Sequence, residues 1–231
     1  MTTATLIMAY YENRLMLEKQ YELIKDLPED IRALLHLIIV DDGSPTKPAY
    51  VDKDLGVASF QLFRMQKDIP WNQDACRNIG AKHAKTEWML LTDMDHMVPA
   101  RTWRGLLFNN WERKKVYTFR RVSAPDMTPY KWHPNTWFIS KAMYEQIGGY
   151  DERLAGLYAT DSDFQIRMLA ITKAYSPLKL SIIRVPREVV ADASTTTYSR
   201  ERDKPRMSAL KKLRGDLRPM RDTFAYDQVF P

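Results

Sequence analysis

Cysteine is almost absent from this 231-residue sequence, with Cys76 standing alone. One thiol cannot close an internal disulfide or build a Cys-rich zinc site, which leaves Cys76 a packing role. Histidine is nearly as scarce: His36, His83, His96 and His133 are scattered along the chain. That scatter argues against a histidine-based metal cluster and leaves oxygen as the main donor for any ion. No window approaches the roughly 18 consecutive apolar residues of a membrane span. The amino terminus also lacks the basic-then-apolar order of a signal peptide, so the expected location is the cytoplasm. Glycine is sparse, 8 residues against 13 prolines. The stretch from Ala9 to Arg14 contains none, which removes the glycine-rich loop that a triphosphate-binding nucleotidyltransferase would need there.

What is present is a globular composition, 45% hydrophobic and 28% charged, in a chain long enough to bury a sizeable core. The formal net charge of +6 is concentrated near the carboxyl end. Between Arg200 and Asp222, nine basic residues stand against four acidic ones, leaving the rest nearly neutral. A basic segment of this kind fits an anionic partner such as nucleic acid, a membrane surface or an acidic polymer. It equally fits a solvated helix that keeps the protein soluble. No linker is evident before about residue 195, so the chain reads as one domain over 1–195, with halves 1–99 and 100–195, followed by a basic extension over 196–231.

Apolar periodicity supplies the elements. Thr5 to Tyr10 reads as a buried strand. Leu17, Tyr21, Ile24 and Leu27 recur at helical spacing before Pro28, and His36 to Val40 is a nearly continuous apolar strand. The resulting βαβ unit is followed by a strand over Val57 to Phe63. A helix over Asn72 to Lys85 has Asn72 as N-cap. Trp88 to Leu91 forms the central strand, which runs into Asp93 and Asp95. Further on, Arg101 to Arg113 predicts a helix, Lys115 to Arg120 a strand, and Ser123 to Pro134, with three prolines, a long loop. Ser140 caps a helix stopped by Gly148, and Asp161, Phe164, Met168 and Ile171 mark another. The fold class is α/β, with a mostly parallel central sheet flanked by helices. In such a sheet Asp42 and Asp93, both at strand ends, lie on one edge above a crevice. Asp93 and Asp95, two hard oxygen donors just past the central strand, suit a divalent cation that holds a diphosphate.

Taken together, these segments resemble the inverting family 2 glycosyltransferases of the GT-A fold. The similarity covers roughly residues 4 to 173. It is carried by Tyr11-Glu12-Asn13 after the first strand, Ile38 to Ser44 (IIVDDGS), Ala75 to Ala84 (ACRNIGAKHA), the Leu90 to Asp95 strand (LLTDMD), Ile147 to Glu152 (IGGYDE) and Thr160 to Phe164 (TDSDF). The resemblance implies a nucleotide-binding sandwich and a metal-dependent transfer of a single hexose from a nucleotide-sugar donor, a UDP-sugar foremost, to an acceptor hydroxyl. It places Ala9, Tyr11, Asp42, Arg77 and Asp93 around the nucleotide. Asp95 and Asp93 would hold Mn²⁺ or Mg²⁺, and Asp161 would be the general base, with Asp163 in support.

Three departures from the family pattern shape this expectation. Thr160 replaces the Glu that usually precedes the base. No histidine follows His133, so Asp192, water or His96 must complete the metal shell, with Asp192 the first candidate. The Gln-x-x-Arg-Trp element of processive synthases is absent, which favours single transfers. Around this centre, His133 is placed to touch acceptor or phosphate but reads first as an exposed loop residue, and Trp132 and Trp137 either stack on a sugar ring or simply wall the crevice. The basic tail and the lack of a membrane anchor raise a variant in which the acceptor is a hydroxymethylated base in DNA. The contrasting class is a non-catalytic sugar-nucleotide binding module, with Thr160 the mark of a lost active site. Oligomeric state is left open.

Overall fold

The computed structural model describes residues 1–157, 160–175, 180–186, 189 and 190, 201, 203–205, 208 and 223–231. Three parallel crossovers open the chain, the first and third through α-helices and the second through a single 3₁₀ turn at Lys53–Leu55. Strand β1 (Ala4–Tyr10) leads into α1 (Arg14–Lys25), which Asn13 caps through its side-chain oxygen on Met16 N. Leu17, Tyr21 and Ile24 are buried, as the helical spacing requires, and the helix ends before Pro28, after which the short α2 (Glu29–Arg32) starts. Strands β2 (Leu35–Asp41) and β3 (Ser59–Met65) follow. The start of β3 lies two residues later than the apolar run predicts, because Ala58 N is drawn to the carbonyls of Arg32 and Leu35.

Helix α3 (Gln73–His83) crosses back over the sheet to β4 (Trp88–Asp93). It is buried on nearly every side from Asp74 to Ala81. Gly80 permits this closeness: a Cβ there would run into Ile7 Cγ2 of β1. Asn72 occupies the N-cap position as expected, yet its side chain makes no capping hydrogen bond.

Beyond β4 come β5 (His96–Met97), α4 (Ala100–Phe108), β6 (Val116–Ser123), β7 (Thr128–Ser140) and α5 (Lys141–Ile147). The chain continues through α6 (Asp161–Ile171), β8 (Ala174–Tyr175), β9 (Ser181–Arg184) and β10 (Tyr226–Phe230). Helix α4 is shorter than predicted, since Trp111 Nε1 takes the Leu106 carbonyl and turns the chain away. Ser140 Oγ accepts from Met143 N, and Gly148, at φ 84°, ends α5 in the left-handed region as read from the sequence.

All strands join one sheet in the order β10-β3-β2-β1-β4-β7-β6-β9-β5, with β8 beside β6. The β3-β2-β1-β4 block is parallel, while β7 joins β4, and β6 joins β7, antiparallel. Apolar side chains pack on both faces, Leu6, Met8 and Tyr10 toward α1 and α4, and Ile7 toward α3 and α5. Phe230 and its neighbours return from the carboxyl end to pair with β3, so the close of the segment read as a basic extension is an edge strand of this sheet. No described helix is long and apolar enough to cross a membrane.

One expectation fails clearly. The stretch over Ser123 to Pro134 is not a loop but the turn and second arm of a β6–β7 hairpin. Its prolines hid the strand, and the register shows how they are tolerated. Thr118 pairs with Trp137 and Arg120 with Trp132, so two steps along β6 match five along β7. The surplus residues, His133 to Thr136, bulge out of the ladder, where the missing N–H of Pro134 breaks no pairing.

Candidate active site

Three parallel strands deliver their carboxyl ends to one edge. Ala9 of β1 lies in register with Val40 of β2 and with Asp93 of β4, and Asp42 follows β2 directly. The two neighbouring acids after β2 divide their work. Asp41 ties down the following loop, its oxygens accepting from Ser44 N (2.9 Å) and Ala49 N (2.8 Å). Asp42 accepts from Asn72 N (2.9 Å) through Oδ2, while no N–H or O–H among the described residues reaches its buried Oδ1. Burial pushes the Asp42 carboxyl well up, against the pull of the Asn72 N–H and the Cys76 thiol. An unused buried acceptor of this kind is costly without a partner, so it marks a position that a ligand N–H would satisfy. Tyr11 stands at the rim, its hydroxyl donating to Asp68 Oδ2 (3.2 Å).

At the end of β4, Asp93 is held on both sides. Fully buried Arg77 of α3 donates to its Oδ1, and His133 Nε2 lies 3.2 Å from its Oδ2. Burial raises this carboxyl, but Arg77 and then His133 outweigh it and hold Asp93 well below the usual carboxylate range. Arg77 is itself oriented by the Tyr150 hydroxyl, which accepts from it (2.9 Å) and from Trp137 Nε1 (3.1 Å). Arg77 thus meets the acid of the strand end through a helix-to-strand ion pair.

Asp93, His96 and His133 each present a ligand atom within 4.8 Å of the others, the one such group of three among the described residues. The two imidazole rings lie 3.8 Å apart, centroid to centroid. His96 Nδ1 is 2.6 Å from Asp95 Oδ1, and its buried Nε2 has no hydrogen-bond partner among the described residues. His133 Nδ1 is 2.6 Å from Thr136 Oγ1, itself 2.9 Å from Thr92 Oγ1. Because a hydroxyl can donate or accept, Thr136 supports the tautomer in which Nε2 is free to ligate. Burial lowers the pKa of His133 against the pull of Asp93, which favours the neutral, ligating imidazole. The donor set therefore fits a divalent ion. Gln20 of α1 braces the turn by donating to the carbonyls of Met94 (2.6 Å) and His96 (3.0 Å), as does Val185 N on Asp95 O (2.9 Å).

This group revises the reading that scattered histidines exclude an imidazole site and that His133 is an exposed loop residue. Strand β7 runs antiparallel to β4, with Leu91 opposite Trp137, and the bulge beyond that pair turns His133 inward to Asp93. Asp95 lies outside the group, with its carboxylate against the far nitrogen of His96. Asp192 lies outside the described residues.

Asp161 opens α6, half-buried. Burial raises its carboxyl, the charge of Asp93 adds to this, and Arg77 opposes it, so the acid senses the ion-binding end of β4. The backbone N–H groups at the start of α6 also lower its pKa, and burial outweighs them. Asp163, the supporting acid, is fully enclosed. It binds Arg167 through Oδ2 (2.9 and 3.1 Å), and Arg167 reaches the Ile147 carbonyl (2.6 Å), pinning α6 to α5. Sequence reasoning missed His133, Thr136, Tyr150 and Asp74 as parts of this region. The apolar alternation of Val116 to Val122 and of Thr136 to Ile139 was the available sign of a hairpin, and with it of His133.

Comparison with known proteins agrees with this geometry. The family model described as glycosyl transferase family 2 matches residues 5–174. No curated protein sequence matches the chain. Among solved structures, S. aureus TarS 1–349 in complex with UDP-GlcNAc is similar with a TM-score of 0.64 at 15% identity, over 93% of this chain and 67% of that one. S. aureus TarS 1–349 gives 0.59 at 14%, over 80% and 61%. The mannosyltransferase PcManGT from Pyrobaculum calidifontis, in complex with GDP-Man and Mn²⁺, gives 0.56 at 15%, over 79% and 56%. In the latter two comparisons the chain covers less than two thirds of the other protein. The shared architecture is the GT-A fold, and with a family match running from β1 to β8 the chain belongs to glycosyl transferase family 2.

Proposed function

We propose that this protein is a metal-dependent inverting glycosyltransferase that moves one sugar from a nucleotide-sugar donor to an acceptor hydroxyl. The observation that carries this reading is the meeting, at one sheet edge, of Asp93, His96 and His133 with the raised carboxyl of Asp161. Asp161 takes the acceptor hydroxyl's proton as the new bond forms, a single displacement that inverts the anomeric carbon. Its raised pKa lets it accept that proton more readily than an ordinary carboxylate does. Arg77 keeps Asp93 ionised and aimed, and the Thr136 hydroxyl keeps His133 in its ligating form. A divalent cation held by Asp93, His96 and His133 would supply positive charge against the charge that builds on the departing diphosphate. Two imidazoles in the set favour Mn²⁺ over Mg²⁺, which prefers oxygen. The Asp42 acceptor fits a base that offers a ring N–H, as uracil and guanine do; these are the bases of the donors bound to TarS and to PcManGT.

The test is release of nucleoside diphosphate from UDP-GlcNAc and GDP-Man with Mn²⁺, Mg²⁺ or a chelator, with and without DNA bearing hydroxymethylpyrimidines. Wild type releases product only with metal, and Asp93→Asn does not. A marked rise with the modified DNA identifies the acceptor. Absence of both release and metal-dependent nucleotide binding overturns the proposal.

A further inference from the structure

Helix α3 enters the site twice from one face. Arg77 holds Asp93, as described. Three residues earlier, a single helical turn away and on the same side, Asp74 reaches in the other direction. Its Oδ1 accepts from Thr160 Oγ1 (3.1 Å), the residue immediately before Asp161. Asp74 is 2% exposed and its Oδ2 has no partner among the described residues. An acid in the first turn of a helix needs no special explanation, but a buried one joined to another helix does. Thr160 is equally unusual. A threonine at an N-cap position normally turns its hydroxyl onto its own helix, whereas this one makes no capping bond and spends its hydroxyl on Asp74.

We propose that Asp74 is a positioning residue for the base, and that α3 sets the separation between the ion-binding acid and the base by gripping Asp93 through Arg77 and the Asp161 turn through Thr160. The inference rests on the reading of Asp161 as general base. Gly80 lets α3 sit directly on β1, where any Cβ would meet Ile7, and so fixes how close the helix lies to the strand ends. The carboxylate that the family pattern leads one to expect at position 160 is absent, and a carboxylate from α3 lies against that position instead. The charged groups around Asp74 are Arg77 of its own helix, Asp161 of α6 and Asp151 of the preceding turn. Burial above all raises the Asp74 carboxyl, to about 7, which suits an oxygen kept for hydrogen bonding within the fold.

The experiment compares Thr160→Val, Thr160→Ser, Asp74→Leu, Asp74→Asn, the Thr160→Val/Asp74→Leu double variant and Asp161→Asn in the full chain, by steady-state kinetics and nucleotide titration. Thr160→Val and Asp74→Leu each lower kcat roughly 10- to 100-fold, the scale of a misplaced reacting group. Donor KM and Mn²⁺-dependent nucleotide binding are unchanged. Thr160→Ser and Asp74→Asn, which keep a donor and an acceptor in place, retain kcat near wild type, and the double variant is no worse than either single one. Wild-type kcat in Thr160→Val, failure of Thr160→Ser to retain it, or multiplicative loss in the double variant overturns the proposal. If Asp161→Asn keeps full kcat, the base reading itself has failed. If Asp161→Asn is inactive while Thr160→Val is normal, only the positioning role has failed.

Discussion

The half of the sheet before residue 99 and the half after it are built by different rules. Strands β3, β2, β1 and β4 pair one to one, all parallel, with α3 pressed flat against β1. Asp41 is satisfied there by two backbone N–H groups and Arg77 donates to Asp93 and Tyr150, while Asp42 Oδ1, Asp74 Oδ2 and His96 Nε2 keep no hydrogen-bond partner among the described residues. The second half is mixed, antiparallel where β7 meets β4 and β6 but parallel where β6 meets β8 and β9, and the residues proposed to act from it sit where regular pairing is broken. His133 projects from a bulge, and Asp161 opens a helix whose capping hydroxyl is engaged elsewhere. The difference separates two tasks. The first half is a regular parallel cradle that carries Asp93 and His96 of the proposed ion site, while the second adds His133 and the proposed base Asp161 from irregular positions.

The strongest way to sharpen this contrast is Asp161→Asn, expected to lower kcat by about 10²- to 10⁴-fold, the usual worth of a positioned base. The melting temperature and nucleotide affinity stay at wild-type values, as thermal unfolding and nucleotide titration will show. Arg77→Ala in the first half should lower stability as well as rate, because Arg77 also aims the proposed ion ligand Asp93. It leaves Asp93 without its cation and costs about 3–5 kcal/mol of folding free energy, read by denaturant unfolding. Rate loss in Asp161→Asn together with a collapse in stability would break the comparison.

Smaller effects follow. Thr136→Val removes the hydroxyl behind His133 and should weaken Mn²⁺ binding by about 10- to 100-fold, measured by metal titration of nucleotide binding. Gly80→Ala drives a methyl into Ile7 and should cost about 1–3 kcal/mol, read by denaturant unfolding. The mildest signature is the pH profile. Because the Asp161 carboxyl is raised above 3.8 and only its ionised form can take a proton, kcat/KM should fall as pH drops, with its acid limb above that ordinary value. A limb at or below it would return Asp161 to a capping role.

Much of the first half was legible because local signals agree there. The apolar runs Thr5 to Tyr10, His36 to Val40 and Trp88 to Leu91 are strands, and each ends at the polar residue where the chain must turn. Asp42, Asp93 and Asp161 could be singled out for the same reason: they stand at element ends. Shorter-range features were less secure. The helix after Pro99 stops early because of a side-chain bond from Trp111 to Leu106 O, a contact that no periodicity reports. The hairpin turn with Pro125 and the arm with Pro129 and Pro134 read as a loop because proline argues against a strand unless a bulge absorbs it.

The sequence by itself determined the succession of strands and helices, the edge on which the acids gather and the family to which the chain is similar, since each depends on patterns within a dozen residues or on motifs in order. Only the tertiary structure decided the donor set and the connections behind it. His133 meets Asp93 through antiparallel pairing and a bulge, and Asp74 meets Thr160 through the packing of α3 against the start of α6. Both are contacts between residues far apart in the chain. Their formation depends on strand register and helix seating, which the folded core sets and no local pattern encodes.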